Sequence, residues 1–169
     1  MRNTGLFFFI LLCVLLVISC QPAMGAELVP SPAGVVTMDV GQEVPISFTL
    51  AGADAGISGF NIAYAVSDPS VLSVTGFSFP DWVQLPKNSS AGQAEGYVMG
   101  VDLGQKMQPG VSSVPLFTIR VVGSTAGSAT ITLTPKMVDD DLAGRYSPAS
   151  VPVSIQVGAP FPCTDPRWK

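Results

Sequence analysis

The sequence predicts an all-β domain: a single, jelly-roll-like β-sandwich of nine strands that follows an N-terminal signal peptide. Three observations support this prediction. Nine short segments alternate apolar residues with small or polar ones. Turn residues separate these segments, with 17 Gly and 15 Pro in 169 residues. No stretch of useful length has the 3.6-residue period of an amphipathic helix, so we expect two packed sheets without a helical layer.

The first 25 residues have the organisation of a signal peptide. Arg2 supplies a positive charge, an apolar run extends from Leu6 to Ile18, and Ala23-Met24-Gly25 forms a small-x-small cleavage site. As a helix this run would span about 20 Å, less than the roughly 30 Å hydrocarbon core of a bilayer. We therefore expect a secreted protein, extracellular or at the cell surface. A lipid anchor at Cys20 is the alternative, because Val17-Ile18-Ser19-Cys20 resembles a lipobox.

The remaining chain divides by composition. We expect residues 26–34 to form a linker, residues 35–158 to form the sandwich, and residues 159–169 to form a Pro-rich tail. The formal net charge of −4, with only eight Lys and Arg, excludes nucleic acid as a partner, because phosphate binding needs a basic patch. Cleavage before Ala26 would leave Cys163 as the one cysteine, so we expect no intrachain disulfide. No residue pattern calls for a cofactor.

The clearest strand runs from Phe60 to Val66. Its large apolar residues occupy alternate positions, which places one side in the core and the other side outside. The outer side carries one amide followed by two small side chains: Asn61, Ala63 and Ala65. Asp68-Pro69 then forms a turn, because proline fixes its own φ and pushes the preceding residue out of the helical region. Val71-Leu72 begins the next strand.

This stretch resembles the cohesin modules, the β-sandwich receptors that hold dockerin-bearing proteins in cellulosomes and related secreted assemblies. The shared pattern is a glycine, a hydrophobe, a short alternating strand, Asp-Pro and Val-Leu. Later segments continue the resemblance, which covers about residues 35 to 158: Tyr97-Val98-Met99-Gly100-Val101-Asp102, Leu116-Phe117-Thr118-Ile119-Arg120-Val121 and Val151-Pro152-Val153-Ser154-Ile155. One departure is Val66-Ser67 before Asp68, where many cohesins have a tyrosine.

The resemblance implies a non-catalytic module that docks a dockerin-bearing partner, with calcium on the partner, in extracellular assemblies related to polysaccharide breakdown. It places the partner on the sheet face that includes the Phe60–Val66 strand, with Asn61, Ala63 and Ala65 as the binding residues. In similar secreted proteins a Pro-rich segment such as 158–166 leads into a dockerin. Here Arg167-Trp168-Lys169 follows instead, so we expect either a stand-alone module or a chain truncated before a dockerin.

Carbohydrate binding is the alternative function, because related sandwiches include carbohydrate-binding modules. Aromatic ring faces stack on pyranose rings, and the candidates for this role are Trp82, Tyr97 and Tyr146. Two features argue against them. Trp82 follows Pro80-Asp81 and is expected to pack over one end of the sandwich, and Tyr97 is in phase with residues expected to face the core.

Enzymatic activity is not expected. The chain has no histidine, which removes the commonest general base and imidazole metal ligands. Asp102 together with one of Asp139, Asp140 and Asp141 could supply the two carboxylates of a glycosidase. That chemistry needs a cleft, and a small sandwich with short loops offers little.

Two further motifs concern the surface. Asp139, Asp140 and Asp141 are weak candidates for a metal site, because adjacent residues of an extended chain point to opposite sides whereas calcium loops space their carboxylates at alternate positions. We expect a solvated acidic hairpin that turns at Gly144. Asn88-Ser89-Ser90 is an N-glycosylation sequon, so Asn88 is a candidate for modification.

Overall fold

The computed structural model of the chain describes residues 25–158. These residues form ten β-strands and no helix, which confirms the prediction of an all-β sandwich. The strands, in chain order, are β1 Glu27–Ser31, β2 Val36–Asp39, β3 Glu43–Ala51, β4 Gly59–Val66, β5 Leu72–Ser78, β6 Gln84–Asn88, β7 Glu95–Val101, β8 Ser113–Gly123, β9 Gly127–Asp139 and β10 Val151–Gly158. Across residues 25–158 there is accordingly no helix that could cross a membrane.

The strands form two sheets. One has the order β1-β3-β8-β5, and its neighbouring strands are antiparallel. The other has the order β2-β10-β9-β4-β7-β6 and is antiparallel except where β2 runs parallel to β10. Alternating side chains of both sheets form one buried core. The largest fully buried side chains include Phe48, Phe60, Ile62, Ile119, Ile131 and Leu133.

Aromatic rings join the two sheets at the centre of this core. The rings of Phe60 in β4 and Phe117 in β8 are stacked, with centroids 5.8 Å apart. Phe117 also contacts Phe48 in β3 at a centroid distance of 5.3 Å. Because these contacts lie on the inner side of β4, the opposite side of that strand faces outwards.

The prediction that residues 26–34 form a linker is wrong for Glu27–Ser31. These residues form β1, the one strand in addition to the nine predicted. This strand pairs with β3, with Leu28 opposite Leu50, and the Leu28 side chain is only 1% exposed. β1 lies at the edge of its sheet, where Pro30 is tolerated because an edge strand need not donate every backbone N–H. A single deeply buried leucine is too short a pattern to indicate a strand from sequence.

Several predictions concern residues outside those that the structure describes. They are residues 1–24 of the predicted signal peptide, which include the lipidation candidate Cys20, and the Pro-rich tail of residues 159–169.

Candidate functional site

The outer side of β4 lies near the middle of the six-stranded sheet, between β9 and β7. The predicted binding residues Asn61, Ala63 and Ala65 are partly exposed there, while the residues between them are buried. The period-two prediction is therefore correct for this strand. Both neighbouring strands contribute side chains to the same surface, because residues directly opposite each other in antiparallel strands share a face.

Cross-strand pairing shows which residues these are. Asn61 lies between Met99 and Met137, Ala63 lies between Tyr97 and Thr134, and Ala65 lies between Glu95 and Thr132. We call these nine residues the β4 face: Asn61, Ala63, Ala65, Glu95, Tyr97, Met99, Thr132, Thr134 and Met137. The sequence interpretation identified only its β4 row, because pairing between strands distant in sequence has no local signal.

Charged groups lie at the margin of the β4 face. Glu95, the one charged member of the face, is exposed at its end, Lys136 is exposed beside it, and Lys87 lies opposite Met99 on the outermost strand. A shallow depression within the face is lined by Ala63, Tyr97 and Thr134, among others. An uncharged centre with Tyr and Met and a charged rim is the composition of a protein interface, and Met adapts its shape to a partner.

Asn61 lies within this uncharged centre and has an unusual property. Its Oδ1 atom is buried, yet no described residue donates a hydrogen bond to it. A buried acceptor without a donor costs free energy, typically about 1–3 kcal/mol. Rotation of the amide to present Oδ1 to a donor on a bound partner would recover this cost.

The three sugar-stacking candidates do not form a platform. Trp82 is only 4% exposed, and its Nε1 donates a 2.7 Å hydrogen bond to the Pro115 carbonyl oxygen. This confirms that Trp82 packs within the sandwich. The expectation that Tyr97 faces the core is wrong: its side chain is 42% exposed, because the inward positions of β7 are Val98 and Gly100. Tyr97 alone of the three presents an exposed ring.

Tyr146, the third candidate, is half-buried and has a structural role. Its hydroxyl accepts a 2.8 Å hydrogen bond from the Ala55 N–H and donates a 3.0 Å hydrogen bond to the Gly56 carbonyl oxygen. It thereby connects the loop before β4 with the segment that follows β9.

Replacing Tyr146 by Phe is expected to lower the free energy of unfolding by about 1–3 kcal/mol, because the Ala55 N–H and the Gly56 carbonyl lose their partner. Urea denaturation followed by circular dichroism measures the change. Tyr97→Phe is the matched control and should change stability by less than about 0.5 kcal/mol, since that side chain is exposed. Equal losses in the two variants would contradict this role for Tyr146.

The acidic hairpin forms, but its three carboxylates are used separately. Asp139 Oδ1 forms an ion pair with Arg145 Nε at 2.7 Å. Asp140 Oδ1 accepts hydrogen bonds from the backbone N–H groups of Leu142 and Gly144 and so closes the turn. Asp139, Asp140 and Asp141 are therefore not a common metal site. Within residues 25–158 no group of three or more His, Cys, Asp or Glu side chains is arranged to hold a metal ion.

Asp141 Oδ2 instead lies beside Gly56, close to the Met107 carbonyl oxygen. Asp102, which contacts the same residue Met107, is only 6% exposed. Asp102 Oδ2 accepts a 2.6 Å hydrogen bond from the Met107 N–H. Burial, together with the negative charges of Asp102 and Asp140, raises the pKa of the Asp141 carboxyl. The depression beside the hairpin is lined by Asp139 and Asp140 and by neither Asp102 nor Asp141.

Asn88 is the last residue of β6 and is exposed. Its Nδ2 donates a 2.8 Å hydrogen bond to the Ser89 carbonyl oxygen. The position is accessible, and glycosylation of Asn88 stays a prediction.

No protein-family model matches the sequence, and no curated protein matches it significantly. Solved structures do match. A chain of a type I cohesin–dockerin complex from Clostridium thermocellum has a TM-score of 0.64 and 16% identity, over 79% of this chain and 99% of that chain.

Two further matches come from different organisms. A type I ScaB cohesin from Pseudobacteroides cellulosolvens has a TM-score of 0.65 and 15% identity, over 82% of this chain and 96% of that one. A non-cellulosomal cohesin from the archaeon Archaeoglobus fulgidus has a TM-score of 0.60 and 13% identity, over 79% and 91% respectively. In its fold, the described part of this chain is a cohesin-like domain.

Proposed function

We propose that this protein is a secreted, non-catalytic module that binds a dockerin-bearing protein through its β4 face, in an extracellular assembly related to polysaccharide breakdown. The observation that carries the proposal is the uncharged part of the β4 face, which is all of the face except Glu95, with the unsatisfied Asn61 Oδ1 within it. The fold adds support, because cohesins of similar fold have been solved in complex with dockerins.

The small side chains of the β4 face suit a helical partner. Ala63 and Ala65 leave room for a helix backbone to approach the sheet closely, and Tyr97 and Met99 offer apolar area beside them. Asn61 would accept a hydrogen bond from the partner through Oδ1. Calcium belongs to the partner in this proposal, because dockerin loops of the form Asp-x-Asp-x-Asp-Gly bind it.

The first experiment is capture of a partner on the immobilised protein. Secreted proteins from the source organism are passed over the protein with calcium or with a chelator, and bound proteins are identified by mass spectrometry. The proposal expects calcium-dependent capture of a protein that contains paired Asp-x-Asp-x-Asp-Gly loops. Retention on an insoluble polysaccharide, with no such protein captured, would overturn it.

Asn61→Arg is expected to weaken binding of the captured dockerin at least about 30-fold. The substitution places a long charged side chain within the uncharged part of the β4 face and removes the acceptor atom Oδ1. Disruption of an interface hot spot lowers the free energy of binding by about 2 kcal/mol or more. Isothermal titration calorimetry measures the affinity. Ser73→Arg, at a partly buried outer position of β5 in the other sheet, is the control and should bind normally. Equal affinity of the wild-type protein and Asn61→Arg would remove the β4 face from the proposal.

Carbohydrate binding remains a second candidate function because of one observation, the exposed ring of Tyr97. Tyr97→Ala does not distinguish the two functions, since Tyr97 lies opposite Ala63 on the β4 face and would affect either ligand. Direct retention on a panel of insoluble polysaccharides does distinguish them. A sugar-binding module would be retained without calcium and without any second protein.

Export is part of the proposal and is tested on the mature protein. Cleavage before Ala26 predicts an N-terminal sequence that begins Ala-Glu-Leu-Val. An acylated N-terminus at Cys20, detected by mass spectrometry, would indicate a lipid-anchored protein at the cell surface instead.

A further inference from the structure

Three loops meet beside the start of β4, and we call residues 53–58, 102–108 and 139–146 the loop cluster. Backbone hydrogen bonds connect them: the Ile57 N–H donates to the Met107 carbonyl oxygen at 2.9 Å, and the Asp141 N–H donates to the Ala55 carbonyl oxygen at 3.2 Å. Gly56 lies at the junction with a φ of +73°, a conformation that L side chains rarely adopt.

Two oxygen atoms pack against Gly56 and leave no room for a side chain at this position. A Cβ on Gly56 would lie 2.5 Å from the Met107 carbonyl oxygen and 2.7 Å from Asp141 Oδ2. These two oxygen atoms therefore lie close together on the same side of Gly56. Met107 also contacts Asp102, because its N–H donates to Asp102 Oδ2.

Both carboxylates carry an unsatisfied oxygen atom. Asp102 Oδ1 and Asp141 Oδ2 are buried, and neither has a hydrogen-bond donor within residues 25–158. Asp102 is more than nine-tenths buried as a residue, and its other oxygen atom, Oδ2, accepts the short hydrogen bond from the Met107 N–H. A buried carboxylate without a partner is costly, and two neighbouring carboxylates repel each other.

Among the described residues no Lys or Arg forms an ion pair with Asp102 or Asp141. The one ion pair closer than 4 Å in this part of the chain joins Arg145 to Asp139. Lys106 lies in the same loop as Met107, but its Nζ donates to the Asp81 carbonyl oxygen.

We infer that Asp102 and Asp141, with the Met107 carbonyl oxygen, bind a calcium ion that holds the loop cluster together. Carboxylate and backbone carbonyl oxygens are the donors that hard cations prefer. Calcium fits better than magnesium, because it accepts irregular oxygen coordination whereas magnesium demands a near-octahedral set. Two carboxylates match the charge of a divalent ion, and water would complete the coordination. This site belongs to the cohesin-like domain itself and does not depend on the proposed docking.

The test uses the protein alone, stripped with EDTA and then titrated with calcium chloride. Isothermal titration calorimetry should show one calcium ion per chain. At about 100 times the dissociation constant, calcium should raise the melting temperature by about 5–10 °C. Magnesium at the same concentration should have a smaller effect. Absence of calcium binding to the wild-type protein would overturn the inference, whether or not the protein binds a dockerin.

Three variants locate the site. Asp102→Asn and Asp141→Asn should each weaken calcium binding about 100-fold or more, because each removes a charged ligand. Asp139→Asn is the matched control in the same hairpin, since its carboxylate faces Arg145, and it should bind calcium normally. Unchanged binding in Asp141→Asn, or loss of binding in Asp139→Asn, would contradict the assignment.

A measurement in EDTA separates this role from a merely structural one. Without calcium, Asp141→Asn should melt at or above the wild-type temperature, because Asp141 Oδ2 is buried and accepts no hydrogen bond within residues 25–158, so the substitution removes a buried charge and loses no hydrogen bond at that atom. A carboxylate that only stabilised the loops would give the opposite result, with a lower melting temperature in EDTA. Asp141→Asn therefore remains informative if Asp102→Asn fails to fold.

Discussion

Replacing Phe60 by Ala is expected to lower the free energy of unfolding by about 3–5 kcal/mol, a large part of the 5–15 kcal/mol typical of a domain. The Phe60 side chain is only 1% exposed, and its ring stacks on Phe117 of the other sheet. Its removal would leave a cavity where the two sheets meet, and surrounding side chains relax only partly into such cavities.

Urea denaturation followed by far-ultraviolet circular dichroism measures the loss for Phe60→Ala. Ala65→Ser on the outer side of the same strand is the control and should change stability by less than about 0.5 kcal/mol. A loss below about 1 kcal/mol for Phe60→Ala would show that the ring does not bridge the sheets.

Replacing Trp82 by Ala is expected to have a similarly large effect, about 3–5 kcal/mol. The indole is buried, lies edge-on to Phe60 with centroids 6.1 Å apart, and donates to the Pro115 carbonyl oxygen. Trp82→Phe keeps an aromatic ring but loses the indole donor and should cost less, about 1–3 kcal/mol. The difference between the two variants isolates the packing contribution.

The same variants address the sugar-binding interpretation of Trp82. The cause of the expected loss is core packing, so Trp82→Phe should leave any retention on polysaccharides unchanged while lowering stability. Selective loss of polysaccharide binding at unchanged stability would instead show that the indole is a ligand contact, which its burial argues against.

Nine of the ten strands, and the faces of β4, were predictable because they depend on a local period of two. Phe60, Ile62, Tyr64 and Val66 are all buried, and the residues between them face outwards. Tyr97 shows the limit of the same argument. In the same strand, Val98 and Gly100 occupy the inward positions. Glycine has no apolar side chain, so the sequence does not indicate which side of β7 faces the core.

The sequence by itself determined the all-β class, the likeness to cohesins and the outward position of Asn61, since each follows from residues near one another in the chain. Only the tertiary structure decided that Glu27–Ser31 is a strand, that Trp82 packs on Phe60, and that Asp102 and Asp141 both lie beside Met107. The physical reason is common to all three. Burial, stacking and charge repulsion act between groups that folding brings together. A local sequence pattern does not indicate which residues, tens of positions away in the chain, will be in contact.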